Sequence, residues 1–327
     1  MTTSESAAQS LPQGIQLIER GWLSSNQVLL LGQSQTALID SGYVSHAPQT
    51  LALVQQALGG RTLDHLVNTH LHSDHCGGNA TLQRTYPNLH TRIAPGDAPF
   101  VVPWQAERLS FDATGQTCEP FGFDSLLALN ETIQLGDWLW EVLAAPGHDP
   151  SAAMLWCPAE RILISADALW EHGFGIVFPE LVGEAGFEAV EATLRHIQNL
   201  NPLWVLPGHG RAFNNVASAL TLAYARLERF KSNPASHHQH AVKALLKFIL
   251  MDWQQCDWLK LRDWVDKASL MVKAMDWGLA RGYQPAKNCT PVAWPCENER
   301  HEWLASALNQ LLQQGVLRQA DGTIIDS

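Results

Sequence analysis

A chain of 327 residues with an apolar fraction of 46% and a charged fraction of 16% has core material for one large domain or two ordinary ones. Its net charge of −11 is uneven: residues 1–214 hold 8 Arg, no Lys and 21 acids (−13), and residues 215–327 hold 13 Lys plus Arg against 11 acids (+2). That balance argues against a phosphate-tracking surface on the first part, and no apolar run reaches the length needed to span a membrane.

Residues 1–13 are polar, without the basic start and apolar centre of a secretory signal, and read as a frayed tail. Strands are expected over 27–31 and 35–39, followed by Asp40-Ser41-Gly42. Residues 47–58 have helical spacing, and Gly59-Gly60 end it. A buried strand over 65–69 leads into His70-Leu71-His72-Ser73-Asp74-His75. A short helix over 79–86 and a strand over 91–94 come next. From 95 to about 125, Pro95, Pro99, Pro103 and Pro120 break the pattern, while Phe100, Trp104, Phe111, Phe121 and Phe123 punctuate it. A loop of that length is usually functional or disordered. Its aromatic content disfavours disorder, so it reads as a lid or a pocket wall.

Strands return over 131–135, 139–144, 152–157 and 161–165, followed by an amphipathic helix over 187–200 and a strand over 204–206. This order suggests two sheets packed between helices. After about Asn215 the character changes. Helices are expected over 217–231, with Ser232-Asn233-Pro234 as the stop, then over 241–253, 258–275 and 299–314. Residues 316–325 alternate around Asp321-Gly322 as a hairpin would. The expected organisation is a tail (1–13), an α/β domain (14–214) and a small, mostly helical, winged-helix-like domain (215–327). Six cysteines (Cys76, Cys118, Cys157, Cys256, Cys289, Cys296) form no CxxC pair, as expected of reduced thiols in a cytoplasmic protein.

The stretch from His70 to His75 places three histidines and an aspartate within six residues, between an apolar run and Gly77-Gly78-Asn79. A strand ending in four ligand-type side chains suggests a metal site on a strand-to-helix turn. Further candidates follow other expected strands: His148 in Pro146-Gly147-His148-Asp149, Asp167 after Ile164-Ser165-Ala166, and His209 in Pro207-Gly208-His209-Gly210. Asp40 ends an earlier strand. Each alone could be a satisfied structural residue; together they put ligand types at the ends of successive strands.

With that set, in that order over 14–214, the chain resembles the metallo-β-lactamase superfamily. The resemblance implies an α+β fold: a four-layer αβ/βα sandwich with the site along one edge. It implies that His70, His72 and His148 bind one metal, that Asp74, His75 and His209 bind a second, and that Asp167 bridges them. Asp40 is implied to order the ligand loop without touching metal, and Cys76 to pack. Imidazole and carboxylate donors suit two divalent ions such as zinc, with manganese or iron as further candidates. Two such ions lower the pKa of a shared water to about 7, and Asp74 is the group placed to orient it and take up its proton.

Substrate class is less explicit. β-Lactam-hydrolysing relatives commonly hold the substrate carboxylate with a basic side chain, often Lys, which the first part lacks. Lactonase relatives tend to have Tyr three residues after the bridging Asp, where this chain has Trp170. Glyoxalase II-type thioesterases usually have Thr where this chain has Asp149, and the C-terminal part carries no recognisable glutathione-binding pattern. Arg226, Arg229 and Lys231 fit either a clamp for an acidic carrier or a solvated helix face. Trp170, Phe174, Phe178 and Trp104 suggest an apolar pocket wall. Trp253, Trp258, Trp264, Trp277, Trp294 and Trp303 are expected to fill the C-terminal core and pack it on the rest.

Three readings follow. The first is a dinuclear metal hydrolase acting on a small-molecule ester or thioester with an apolar acyl part. The second is a lactonase or phosphodiesterase. The third is a regulatory protein that keeps the metal site and works through a partner. Nucleic acid and membrane are not expected partners, and the oligomeric state is left open.

Overall fold

The computed structural model describes residues 10–284, 292 and 294–327. Residues 1–9 of the expected tail, and Cys289, lie outside the described residues.

Two sheets carry the first part. In one, β1 (Ile15–Ile18), β2 (Gln27–Leu31), β3 (Thr36–Ile39), β4 (His65–Val67), β5 (His90–Ile93) and β6 (Ser125–Leu126) lie side by side in that order. Strands β1 to β3 pair antiparallel, and β3 to β6 pair parallel. The other holds β7 (Thr132–Leu135), β8 (Trp138–Ala144), β9 (Ala153–Cys157), β10 (Ile162–Ala166) and β11 (Trp204–Pro207), in spatial order β11-β10-β9-β8-β7. Here β10 and β11 are parallel and the other pairs antiparallel.

Period-two alternation then sorts the side chains between layers. Val28, Leu30, Ala37, Ile39 and Val67 meet Trp140, Val142, Leu155, Ile162 and Leu206 in one buried cluster between the sheets. The alternate residues Leu29, Leu38 and Leu66 face outward, against Val54 and Leu58 of α1 (Ala47–Leu58) and Leu82, which lies beyond the single turn α2 (Ser73–Cys76) in α3 (Asn79–Thr85). Each fully buried Leu or Ile in such a layer contributes about 1.5–3 kcal/mol.

Beyond β5 the chain forms two single turns, α4 (Ala98–Val101) and α5 (Phe111–Thr114), and beyond β10 another, α6 (Phe178–Leu181). The helices α7 (Phe187–Leu200) and α8 (Val216–Ser232) cover the outer face of the second sheet, on Met154, Trp156, Leu163 and Val205. The result is the expected αβ/βα stack.

The remaining elements are α9 (Pro234–Trp253), β12 (Gln255–Asp257), α10 (Trp258–Lys267), α11 (Ser269–Ala280), α12 (Glu299–Gln313), β13 (Leu317–Ala320) and β14 (Thr323–Asp326). They enclose their own core of Leu245, Ile249, Leu261, Met271, Leu304 and neighbours. Trp258, Trp264 and Trp303 are buried in it, while Trp277 is partly exposed. The Trp264 indole also reaches Thr114 O at 3.1 Å, which ties this core to α5. No helix among the described residues is long and apolar enough to cross a membrane.

Four expectations change. Helix α9 begins seven residues before the expected 241, because Pro234 does not merely stop α8 but starts the next helix at its first position. The single helix expected over 258–275 is two, broken where Ala268 turns extended (φ −69°, ψ 96°) and lets α11 fold back on α9. The apolar spacing runs through that break, so periodicity does not show it. The hairpin gains a third strand, β12, paired to β14. Finally, the 95–125 segment is not an open wall: Val101, Leu109, Phe111 and Phe121 bury against Leu71, Cys76 and Ile93.

Candidate metal centre

Strand ends deliver the side chains. Asp40 follows β3, His148 lies beyond β8, Asp167 follows β10, and His209 is two residues beyond β11. The His70–His75 stretch follows β4 and runs into α2, which holds Asp74 and His75. Two of these exits run through left-handed backbone at non-glycine residues, Asp40 (φ 61°) and Ala166 (φ 46°). Such conformations cost on the order of 1–3 kcal/mol and persist where surrounding bonds impose them. At Asp40 the bonds are visible: its amide donates to Val67 O at 2.9 Å. Its carboxylate accepts from Thr69 N (2.9 Å) and Thr69 Oγ1 (2.8 Å) and lies 2.8 Å from His75 Nδ1.

Three overlapping groups of donor atoms result, each within 4.8 Å: His70, His72 and His148; His70, His75 and Asp167; Asp74, His75 and His209. His72 Nδ1 is 3.2 Å from His70 Nε2 and 2.8 Å from His148 Nε2. Asp167 faces both sides, with Oδ2 3.3 Å from His148 Nε2 and Oδ1 3.5 Å from His75 Nε2. His209 Nε2 lies 3.1 Å from Asp74 Oδ2 and 3.9 Å from Asp167 Oδ1. Gly208 packs against this carboxylate so closely that a Cβ there would stand 2.2 Å from Asp167 Oδ1.

The second ring nitrogens are also engaged. His70 Nδ1 is 3.1 Å from Thr69 Oγ1, and His148 Nδ1 donates to Ile176 O at 2.6 Å. His75 Nδ1 meets Asp40, and His72 Nε2 is 3.5 Å from Asp149 Oδ2. Oxygen partners on the far nitrogen fix ring orientation and tautomer, leaving the near nitrogen free to ligate.

Electrostatics separates the set. Burial, and then the neighbouring histidines, hold His70 well below the usual imidazole range. Burial likewise takes His72 and His148 down to about 4. For His75 burial works in the same direction, but Asp40, Asp74 and Asp167 outweigh it and raise the group well above that range. Asp74 and Asp167 stay low despite burial because His75 and His209 face them.

The residues fit a pair of divalent cations. Three imidazole nitrogens point at one another, an arrangement that is unfavourable with lone pairs alone or with protons alone and is relieved by a cation between them. His75 Nε2 is buried with no hydrogen-bond partner among the described residues. A mixed set of imidazole and carboxylate donors suits zinc, with manganese or iron also compatible.

The aromatic expectations divide. Phe178 packs on His72 and His148, with ring centroids 4.6 and 5.3 Å apart. Trp170 stands edge-on to His209 at 5.3 Å, and its Nε1 donates to Asp167 Oδ1 at 3.2 Å. Trp104 instead packs on Phe111 and Phe121, in the cluster behind the motif. Phe174 is core: its ring meets Phe230, and it borders, with His148 and Asp167, a cavity of about 10 Å³, room for one water at most. Arg226 is neither clamp nor solvated face, since it donates to Phe174 O at 3.0 Å, and Lys231 pairs with Glu191. Cys76 is buried in apolar surroundings.

Trp22 is the residue that sequence reasoning missed. It is 58% exposed and stacks on His209 at 5.2 Å, 11° from parallel, with Trp170 at its edge. Asn26 anchors its loop, with its amide donating to Gly208 O (2.6 Å) and Nδ2 donating to Pro207 O and Gly210 O.

Comparison with known proteins accords with this geometry. A family model described as the metallo-beta-lactamase superfamily matches residues 20–209. A hydroxyacylglutathione hydrolase of Erythrobacter litoralis is 27% identical over 160 residues, 48% of this chain and 53% of that protein. One from Synechococcus sp. (strain JA-2-3B'a(2-13)) is 28% identical over 207 residues, 61% of this chain and 69% of that protein. This chain thus spans about half the length of the first relative. Among solved structures, a metallo-beta-lactamase family protein from Thermus thermophilus superposes with a TM-score of 0.56 at 16% identity, covering 97% of this chain and 100% of its own. The subclass B3 metallo-beta-lactamase of Bradyrhizobium japonicum superposes at 0.53 and 15% identity, covering 70% of this chain and 94% of its own. At those identities the structures speak for the fold.

Proposed function

The chain belongs to the metallo-β-lactamase superfamily, and from that premise we propose that it is a dinuclear metal-dependent hydrolase cleaving an ester or thioester with an apolar acyl part. The observation that carries the reading is the convergence of seven candidate ligands into overlapping groups, with Asp167 facing both. In this reading His70, His72 and His148 would hold one ion, Asp74, His75 and His209 the other, and Asp167, which faces both sides, would serve the two. Residues 14–214 form the catalytic part and 215–327 an added helical, winged-helix-like part.

When bound, two divalent ions would supply Lewis acidity for activating a water at neutral pH and polarising the scissile carbonyl. The side chains do the rest. Asp74, more exposed than Asp167 and kept ionised by His75 and His209, takes up the proton of the attacking water. Asp40 holds His75 by its far nitrogen, and the Trp170 indole holds one oxygen of Asp167. Trp22 and Trp170 on the His209 side, and Phe178 on the His72 side, present apolar rings beside the reacting carbonyl. That lining supports an apolar acyl group.

The relatives' printed name, hydroxyacylglutathione hydrolase, supports a thioester among acyl substrates. The test is hydrolysis of an acyl thioester, a lactone and a bis-aryl phosphodiester by metal-loaded protein and by Asp74→Ala. Metal-dependent cleavage of the thioester, lost in Asp74→Ala, is the expected outcome. Cleavage of the lactone or phosphodiester alone would move the substrate class. No cleavage of any of the three, by protein that holds metal, would leave the partner-binding reading.

A further inference from the structure

Helix α9 of the added part contributes one side chain to the surroundings of a candidate ligand. His237 Nε2 accepts a hydrogen bond from Val177 N at 3.2 Å. The carbonyl of that same peptide group, Ile176 O, accepts from His148 Nδ1 at 2.6 Å. One peptide unit is therefore held between two imidazoles. The segment lies tight against the His148 ring: a Cβ on Gly175 would be 2.4 Å from His148 Nδ1, and Phe178 N donates back to His148 O at 3.2 Å.

We propose that His237 is a positioning residue for His148, acting through the peptide group between Ile176 and Val177. The inference rests on the metal reading of the centre.

The surroundings of His237 favour a role for its nitrogen over simple filling. The side chain is fully buried, with the rings of Phe187 and Phe230 at 5.3 and 4.9 Å. Its Nε2 is an acceptor, so the proton sits on Nδ1, and Nδ1 is buried with no hydrogen-bond partner among the described residues. A phenylalanine would fill the same apolar space without stranding a polar atom. What an imidazole adds is an acceptor for Val177 N. Burial takes its pKa down to about 3, so it stays neutral and the acceptor persists.

The consequence reaches the ligand by polarisation. When the amide N–H donates to an acceptor, negative charge on the carbonyl of the same unit increases, and hydrogen bonds in such a chain strengthen one another. A stronger Ile176 acceptor fixes the proton of His148 on Nδ1 and presents Nε2 as a lone pair toward His70 and His72. Loss of a ligand's direct outer partner typically lowers metal affinity about 10–100-fold, and weakening that partner from one peptide further out should cost less.

The test uses the full chain and zinc, with binding constants read by competition against a chromophoric chelator. His237→Phe keeps the volume and removes the acceptor, and His237→Gln restores one. One of the two ions should bind about 3–10-fold more weakly in His237→Phe, below the range for a ligand's direct partner because the Ile176 carbonyl remains, the other unchanged, with His237→Gln closer to wild type. Equal binding of both ions in His237→Phe, or equal weakening in both variants, overturns the relay while leaving the metal reading in place. A wild-type chain that takes up no metal overturns both. Should His237→Phe not fold, the wild type still decides. Zinc should shift the Val177 amide proton and the His237 Nε2 resonance more than the His240 ring, and unmoved Val177 and His237 signals overturn the relay.

Discussion

Two stretches of this chain are dense in histidine: His70, His72 and His75, and His237, His238 and His240. They end in opposite circumstances. The first lies between a strand end and a single turn and aims its rings at a rim where Asp40, Asp74, Asp149 and Asp167 wait. The second rides on the first turns of α9, where His237 and His238 point about 100° apart and His237 and His240, three residues apart on one face, both turn to the ring of Phe230. His237 is wedged between phenylalanines, His238 Nδ1 lies 3.0 Å from its own helix at Pro234 O, and the His240 ring packs beside Phe230 at 5.8 Å. Ligand-type residues become a candidate centre through what faces them, and carboxylates at strand ends do what a helix face does not.

Removing the carboxylate that faces both donor groups should break the comparison most sharply. Asp167→Asn is expected to lose about 10³-fold or more in metal-dependent hydrolysis, the scale for one member of a set acting as a unit, and to retain at most one ion. His240→Ala should retain both ions and the activity. Metal content and turnover of the two variants check the pair, and equal retention would mean that Asp167 does not span the groups. One step out, Asp40→Ala leaves Thr69 N and His75 Nδ1 without their acceptor. Each buried group so stranded costs about 1–3 kcal/mol, and metal affinity should fall about 10–100-fold. Urea unfolding of the metal-free protein and chelator competition measure the two parts separately.

Acid should fell both stretches, for different reasons. His237 has its folded pKa depressed to about 3, against about 6.5 unfolded. The unfolded chain therefore binds the extra proton between those values. The stability His237 contributes is present above pH 6.5 and is lost as pH falls toward 3, at about 1.4 kcal/mol per pH unit at most. The His70–His75 centre is acid-sensitive because its ligands must be deprotonated to hold metal. Excess zinc should shift the metal-linked loss to lower pH and leave the α9 loss in place. His237→Phe should reduce the slope of the unfolding free energy of the metal-free protein between pH 6 and pH 4 by up to about 1.4 kcal/mol per pH unit, the other buried histidines keeping the rest; an unchanged slope would show that His237 is not neutral in the fold.

The centre and the fold were largely legible in the sequence because their signals are local. His70 to His75 is contiguous, each further candidate follows an apolar strand, and the short apolar runs at 27–31, 35–39 and 65–69 mark strands. What escaped was set by contacts distant in the chain. Trp22 has no local signature; its place on His209 comes from Asn26 bonding 181 and 184 residues away. The break at Ala268 follows from α11 packing on α9, and the relay joins Val177 to the part of α9 that precedes the helix expected from 241. Trp104 and Phe174 were misplaced because an aromatic residue near a motif reads alike whether it faces solvent, substrate or core.

Trp22 also supplies the finest test of the comparison between centre and added part. It and Leu259, on α10, are similarly exposed, at 58% and 62%. Leu259 borders no candidate site, whereas Trp22 stacks beside His209. An exposed ring contributes little to folding, so Trp22→Ala and Leu259→Ala should both leave stability near wild type. They should differ in substrate handling. An aromatic contact worth about 0.5–1.5 kcal/mol converts to a rise in KM of about 2–13-fold for apolar acyl substrates in Trp22→Ala, with kcat unchanged, because the contact is made equally in ground and transition state. Leu259→Ala should change neither constant. A fall in kcat at constant KM would instead mean that the indole orients His209, making Trp22 part of the ligand scaffold and no longer part of the binding wall.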